Sequence, residues 1–209
     1  MTAREEMLAA IHAALGPNPP VPEVPRAYRQ AGSVPAGSAE LVQRFCERVA
    51  DYQASVRRAR PGSTERAIED ACADRGTDRI AAAPAAPWAP SGIELIRDGP
   101  ERPARELDAI GAALTGCALA IAETGTIVLE GGPLSGRRAL TLVPDHHICV
   151  VRADQVVADV PDAIMALHMA ARARRPITFV SGPSATSDIE LQRVEGVHGP
   201  RLLDVVVAG

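Results

Sequence analysis

Three short segments gather the side chains that could do chemistry. In the first, Glu123, Thr124, Gly125 and Thr126 form a polar insert between an apolar run ending at Ala122 and another starting at Ile127. A glutamate interrupting buried strands costs free energy unless it is paired or functional. Glu123 can serve as a base or a nucleophile while the threonine hydroxyls and the N–H groups around Gly125 hold an anion. The plain alternative is a hairpin whose glutamate accepts backbone hydrogen bonds. The second segment, Ser181 to Asp188, is dense in hydroxyls and directly follows the apolar run Ile177–Val180. Loops at the carboxyl ends of parallel strands line the usual ligand crevice. Ser181, Gly182, Ser184 and Thr186 are therefore candidate binders of carboxylate or phosphate, set against an ordinary serine-rich turn.

The third segment folds Gly196 and Gly199 around His198 and ends at Pro200, just before the last apolar run. Glycines permit a close backbone approach to a ligand, and His198 is the second candidate catalytic group, for proton transfer or ligand orientation. His146 and His147 precede another strand, so two histidine sites either converge on one crevice or stay apart. A metal needs three ligands in space, and the spacing favours satisfied or solvent-facing histidines, so no metal is assigned. His12 and His168 sit on helical stretches as bystanders.

The elements that must position these residues read as follows. Thr2 with Glu5 makes a capping box for a helix carrying Met7, Leu8, Ile11 and Leu15, stopped by Gly16-Pro17. Six prolines between 17 and 37 keep that stretch extended, either wrapping the domain or lying loose. Residues 1–37 are thus a helical and Pro-rich N-terminal arm, and 38–209 a single α/β domain. Helical spacing recurs from Ser38 to Ala50, from Ser63 to Arg75, through Leu107, Ile110 and Leu114 up to Gly116, and from Pro161 to Pro176. Short apolar runs predict strands at 54–59, 79–82, 93–96, 117–122, 127–129, 140–143, 148–151, 177–180 and 202–208. Near-continuous apolar strands alternating with helices imply a largely parallel sheet covered on both faces.

Composition narrows the chemistry. The 209 residues are 46% hydrophobic and 23% charged, suited to one packed core. Every one of the 22 positive residues is arginine, which excludes a Schiff-base lysine, a lysine nucleophile and a Walker A loop. Aromatics at 2% and a net charge of -4 disfavour nucleic acid. Cys46, Cys72, Cys117 and Cys149 are separated by 26, 45 and 32 positions, unlike any cluster motif, so no iron–sulfur cluster or other cofactor is expected in this chain. The opening residues lack the basic and apolar regions of a signal peptide and no long apolar run occurs, so a cytoplasmic protein without a membrane span is expected.

Four strings in fixed order, AETGTIVL from Ala122, PDHHICVV from Pro144, SGPSATSDIE from Ser181 and GVHGP from Gly196, resemble the lactate utilization protein C family, whose module is the LUD domain. The resemblance covers the C-terminal half. It implies a fold like the sugar-phosphate isomerases and CoA transferases, and a cytoplasmic role in oxidising L-lactate to pyruvate. It implies two partners as well, lactate utilization proteins A and B, which carry the iron–sulfur clusters. The alternative is a stand-alone enzyme on a small anionic, acyl-CoA or sugar-phosphate-like substrate, with Glu123 attacking an acyl group as a nucleophile.

Overall fold

The computed structural model describes residues 2–17, 19–28, 32, 34–186, 194–195 and 198–209. Helix α1 spans Ala3–Leu15, opened by the anticipated capping box: the Glu5 N–H donates to Thr2 Oγ1 at 3.4 Å and the Thr2 N–H to Glu5 Oε2 at 2.8 Å. None of its residues is buried. Residues 19–28 are exposed and carry neither helix nor strand. At Gly32 the arm meets the body, where its N–H donates to both Asp162 carboxylate oxygens at 3.1 Å; Gly37 follows with a bond to the Val156 carbonyl.

The body then runs α2 (Ala39–Asp51), β1 (Ser55–Ala59), α3 (Thr64–Ala73), β2 (Arg79–Ala82), β3 (Glu94–Arg97), α4 (Ala104–Ile110), β4 (Ala112–Gly116), β5 (Leu119–Ile121) and β6 (Thr126–Glu130). A 3-10 turn at Arg138–Thr141 leads into β7 (His146–Arg152), a second at Ala153–Gln155 into β8 (Val156–Val157). The chain ends with α5 (Val160–Ala166), α6 (His168–Arg172), β9 (Ile177–Val180), β10 (Ala185–Thr186), β11 (Val194–Glu195) and β12 (Leu202–Ala208).

Six strands form one wholly parallel sheet in the order β1-β12-β7-β4-β2-β3. Strand alternation divides its core in two. Ile148, Val150 and Val206 face α3 and α4, packing with Ile68, Ala71, Cys72 and Leu107. Cys149, Val151, Val205 and Val207 face the other way, onto Leu41, Phe45 and Val49 of α2 and onto a second sheet. That second sheet, β8-β5-β6-β9, is mixed, with β5–β6 and β6–β9 antiparallel. Its outer face is covered by Ala163 and Leu167.

The α/β class with a parallel sheet flanked by helices is as anticipated. Four local expectations differ. The stripe Leu107, Ile110, Leu114 is not one helix: α4 stops at Gly111, whose N–H caps the Leu107 carbonyl, and Leu114 belongs to β4. Residues 140–143 form no strand, because the bonds at Arg138–Thr141 are local ones that close a 3-10 turn. The helix opened by Pro161 is broken at Leu167 into α5 and α6. Strand β9 lies in the mixed sheet, antiparallel to β6, so the loop after it does not leave the carboxyl end of a parallel strand.

Candidate functional site

A cavity of about 220 Å3 lies where the two sheets meet, at the amino ends of β7 and β12. Its floor is His147, Thr141 and Leu203, all buried. Its wall is the end of β9 and the turn Ser181–Ser184, and its far side is His198, Gly199 and Pro200. Two bonds tie the loops together: the Ser184 N–H donates to the Pro200 carbonyl at 2.8 Å, and the His198 N–H to Ser184 Oγ at 3.1 Å. The crevice thus sits at the opposite end of the parallel strands from the one that sequence reasoning favours, because β9 reaches it from the mixed sheet.

His147 is the second residue of β7 and turns toward the cavity, its Nε2 2.8 Å from Thr115 Oγ1 on β4. Burial, reinforced by the neighbouring charges of His146 and Arg138, pushes its pKa down to about 3. The ring is neutral at physiological pH and offers a hydrogen bond rather than a charge. Arg138 supplies the charge. Its Nη1 donates to the Thr141 carbonyl and hydroxyl at 3.0 and 3.1 Å, and among the described residues no carboxylate pairs with it. Among the described residues the arrangement is the Arg138 guanidinium, a neutral imidazole, hydroxyls of Ser181 and Ser184, and apolar contact from Leu203 and Phe179. Chemically it suits a small anion with a short apolar body.

The first segment contributes from behind. Thr124 Oγ1, Thr126 Oγ1 and Ser181 Oγ form a chain with 2.7 Å steps that ends at the cavity. Glu123 stands at the exposed turn between β5 and β6, its N–H donating to the Ala158 carbonyl at 3.1 Å, and does not line the cavity. Gly125 has φ 60°, and a Cβ there would meet the Arg48 backbone carbon at 2.7 Å, so this glycine lets the turn rest on α2. Gly182, at φ 85°, does the same against Tyr52, with 2.6 Å to its Cβ. Thr186 falls in β10, just beyond the cavity wall. Gly196 lies outside the described residues.

Sequence reasoning brings Ser181, Gly182, Ser184, His198 and Gly199 to one place, and so does the structure. It missed Arg138, Thr141 and Thr115, which no motif or spacing marks. It also left the paired histidines undivided. His146 faces the α3 side, where its Nε2 lies 2.9 Å from Asp204 Oδ2. Arg57 and Arg75 approach the same buried carboxylate at 3.4 and 3.8 Å. Burial would raise the Asp204 pKa, but hydrogen bonds from His146 and Ser55 and the Arg57 charge outweigh it and hold the carboxyl below its usual range. Among the described residues no three His, Cys, Asp or Glu side chains gather to hold a metal.

The profile of the LUD domain matches residues 42–208, from α2 to the last strand. The chain belongs to the LUD domain family. A LUD relative from Deinococcus radiodurans, called lactate utilization protein C, is 44% identical over 212 residues, covering 99% of this chain and 96% of the relative. A shorter match, to lactate utilization protein C 1 of Bacillus mycoides, is 37% identical over 86 residues, covering 39% of this chain and 36% of the relative. The crystal structure of a DUF162 family protein from Deinococcus radiodurans superposes with a TM-score of 0.70 at 40% identity, covering 82% of this chain and 98% of that one. The family resemblance drawn from the four motifs thus extends over the whole LUD domain. No helix among the described residues is long and apolar enough to cross a membrane.

Proposed function

We propose that this chain serves lactate utilization in the cytoplasm by holding a small carboxylate, lactate or pyruvate, in the cavity between the two sheets. The observation that carries this is Arg138, a cation without a carboxylate partner among the described residues, set beside neutral His147. In this reading the arginine binds the carboxylate, while Ser181, Ser184 and the amides near Gly182 and Gly199 add hydrogen bonds. His198 at the rim orients the ligand or exchanges its proton. The name of the nearly full-length relative supports the pathway. Electron transfer is assigned to partners, the iron–sulfur lactate utilization proteins A and B.

The test is Arg138→Gln. It should abolish the thermal shift given by lactate or pyruvate and growth on lactate in a complementation strain, with the ligand-free melting temperature retained. Wild-type growth by a folded Arg138→Gln protein refutes the reading. A second reading, a stand-alone enzyme on a small anionic or acyl-CoA-like substrate using Glu123 in a sugar-phosphate isomerase or CoA-transferase-like fold, draws support from the hydroxyl chain Thr124–Thr126–Ser181. That chain joins the Glu123 turn to the cavity. Turnover of acyl-CoA esters by the isolated chain, lost in Glu123→Gln, would favour it.

A further inference from the structure

Thr115 and His147 meet where β4 pairs with β7, Thr115 Oγ1 lying 2.8 Å from His147 Nε2. Both side chains are buried, Thr115 with no exposure at all, so a polar hydrogen between them needs an acceptor within the protein. A hydroxyl has one proton and two lone pairs, and among the described residues Thr115 Oγ1 has no other hydrogen-bond partner. Were the ring to donate to Oγ1, the hydroxyl proton would stay buried without an acceptor. When the hydroxyl donates to Nε2 instead, that proton is satisfied and only a lone pair goes unused, the cheaper of the two. The ring, neutral at physiological pH, then carries its own proton on Nδ1. Nδ1 has no partner among the described residues, yet it is not sealed off as Nδ1 of His146 is. It opens onto the cavity that the ring lines.

We propose that Thr115 is a positioning residue that fixes His147 as the Nδ1–H tautomer, and that the cavity thereby selects carboxylates bearing an acceptor oxygen on the adjacent carbon. This selectivity deepens, and rests on, the reading of the cavity as an anion site. Arg138 lies close enough for its charge to disfavour protonation of the ring, so a carboxylate on the guanidinium and an oxygen one carbon away can meet both groups. Both only donate, since neither the guanidinium nor Nδ1–H has a lone pair to offer. A 2-oxo or 2-hydroxy oxygen accepts from Nδ1–H. Propionate covers the N–H and leaves it unpaired, and the ammonium of alanine sets a donor against a donor. Pyruvate and lactate therefore suit the site, and two acids of nearly the same size do not.

Nitrogen NMR of the full chain labelled at histidine reads the tautomer, with His147→Gln assigning the signal. The expected ring has a protonated Nδ1 and a bare Nε2 in the wild type and in Thr115→Ser, and a mixture of both tautomers in Thr115→Val. Titration calorimetry gives the selectivity: the dissociation constant should rise roughly tenfold from pyruvate or lactate to propionate, and alanine should not bind. Thr115→Val should bring the propionate-to-pyruvate ratio toward unity, and Thr115→Ser should keep it. A wild-type ring protonated at Nε2 overturns the proposal whether or not the variants fold. Equal binding of propionate and pyruvate overturns it as well, as does a folded Thr115→Val that keeps both the tautomer and the ratio. Failure of every acid to bind is a different result, which sinks the anion reading of the cavity and the selectivity with it.

Discussion

His146 and His147 are adjacent on one strand yet face opposite sides of the parallel sheet, and their surroundings differ in kind. On the α3 side, His146 joins a carboxylate with no solvent access, Asp204, and two arginines, so every member has an opposite charge to meet. On the cavity side, His147 has a hydroxyl partner and a cation nearby, and among the described residues no carboxylate pairs with that cation. A shared carboxylate on one face describes a group of residues that hold one another in place. A cation without a carboxylate partner among the described residues, beside a neutral ring, is what the proposed anion site rests on. The pleat sends the two histidines to opposite faces.

The comparison breaks most visibly at Asp204. Asp204→Asn takes the buried carboxylate from His146 and Arg75, while Arg57 keeps Asp74, and should cost about 1–3 kcal/mol, read as a drop in melting temperature, with ligand binding intact in whatever fraction stays folded. A cost below about 1 kcal/mol would mean that the two faces are alike.

His147→Gln sharpens it through pH. The unfolded imidazole takes up a proton near 6.5 and the folded one only at about 3. Between those values the unfolded chain binds more protons, so this group's contribution is fully present above 6.5 and is lost as the pH falls toward 3. Asp204, with its lowered carboxyl pKa, acts in the same direction but only below the ordinary aspartate range. Chemical denaturation from pH 7 to 4 should therefore show an acid loss on the order of a few kcal/mol in the wild type that is flattened in His147→Gln and kept in Asp204→Asn.

Thr126→Val cuts the hydroxyl chain at its buried middle and should cost about 1–2 kcal/mol while weakening ligand binding through the loosened Ser181. The smallest expected effect is Glu123→Gln. At an exposed turn it should change stability by no more than about 0.5 kcal/mol, so any loss of growth on lactate would report chemistry rather than folding.

The sequence by itself determined the parts whose signals are local. The capping box of α1 rests on two side chains three residues apart. The runs at 148–151 and 202–208 are apolar enough to be nothing but buried strands, and the hydroxyl and glycine loops at 181–184 and 198–199 carry their own turn chemistry. Gly111 shows where local signals fail, since a helical stripe through Leu114 fits the apolar spacing equally well until β2 and β7 claim the residues after the glycine as a strand. Only the tertiary structure decided that Ile177–Val180 joins an antiparallel partner, which moves the loop after it to the amino end of β7. It alone brought Arg138 and Thr141 to that loop, because contacts between residues forty positions apart leave no trace in spacing. The choice between His146 and His147 was likewise made by strand register and by which layer covers each face, and neither is written in the two identical letters.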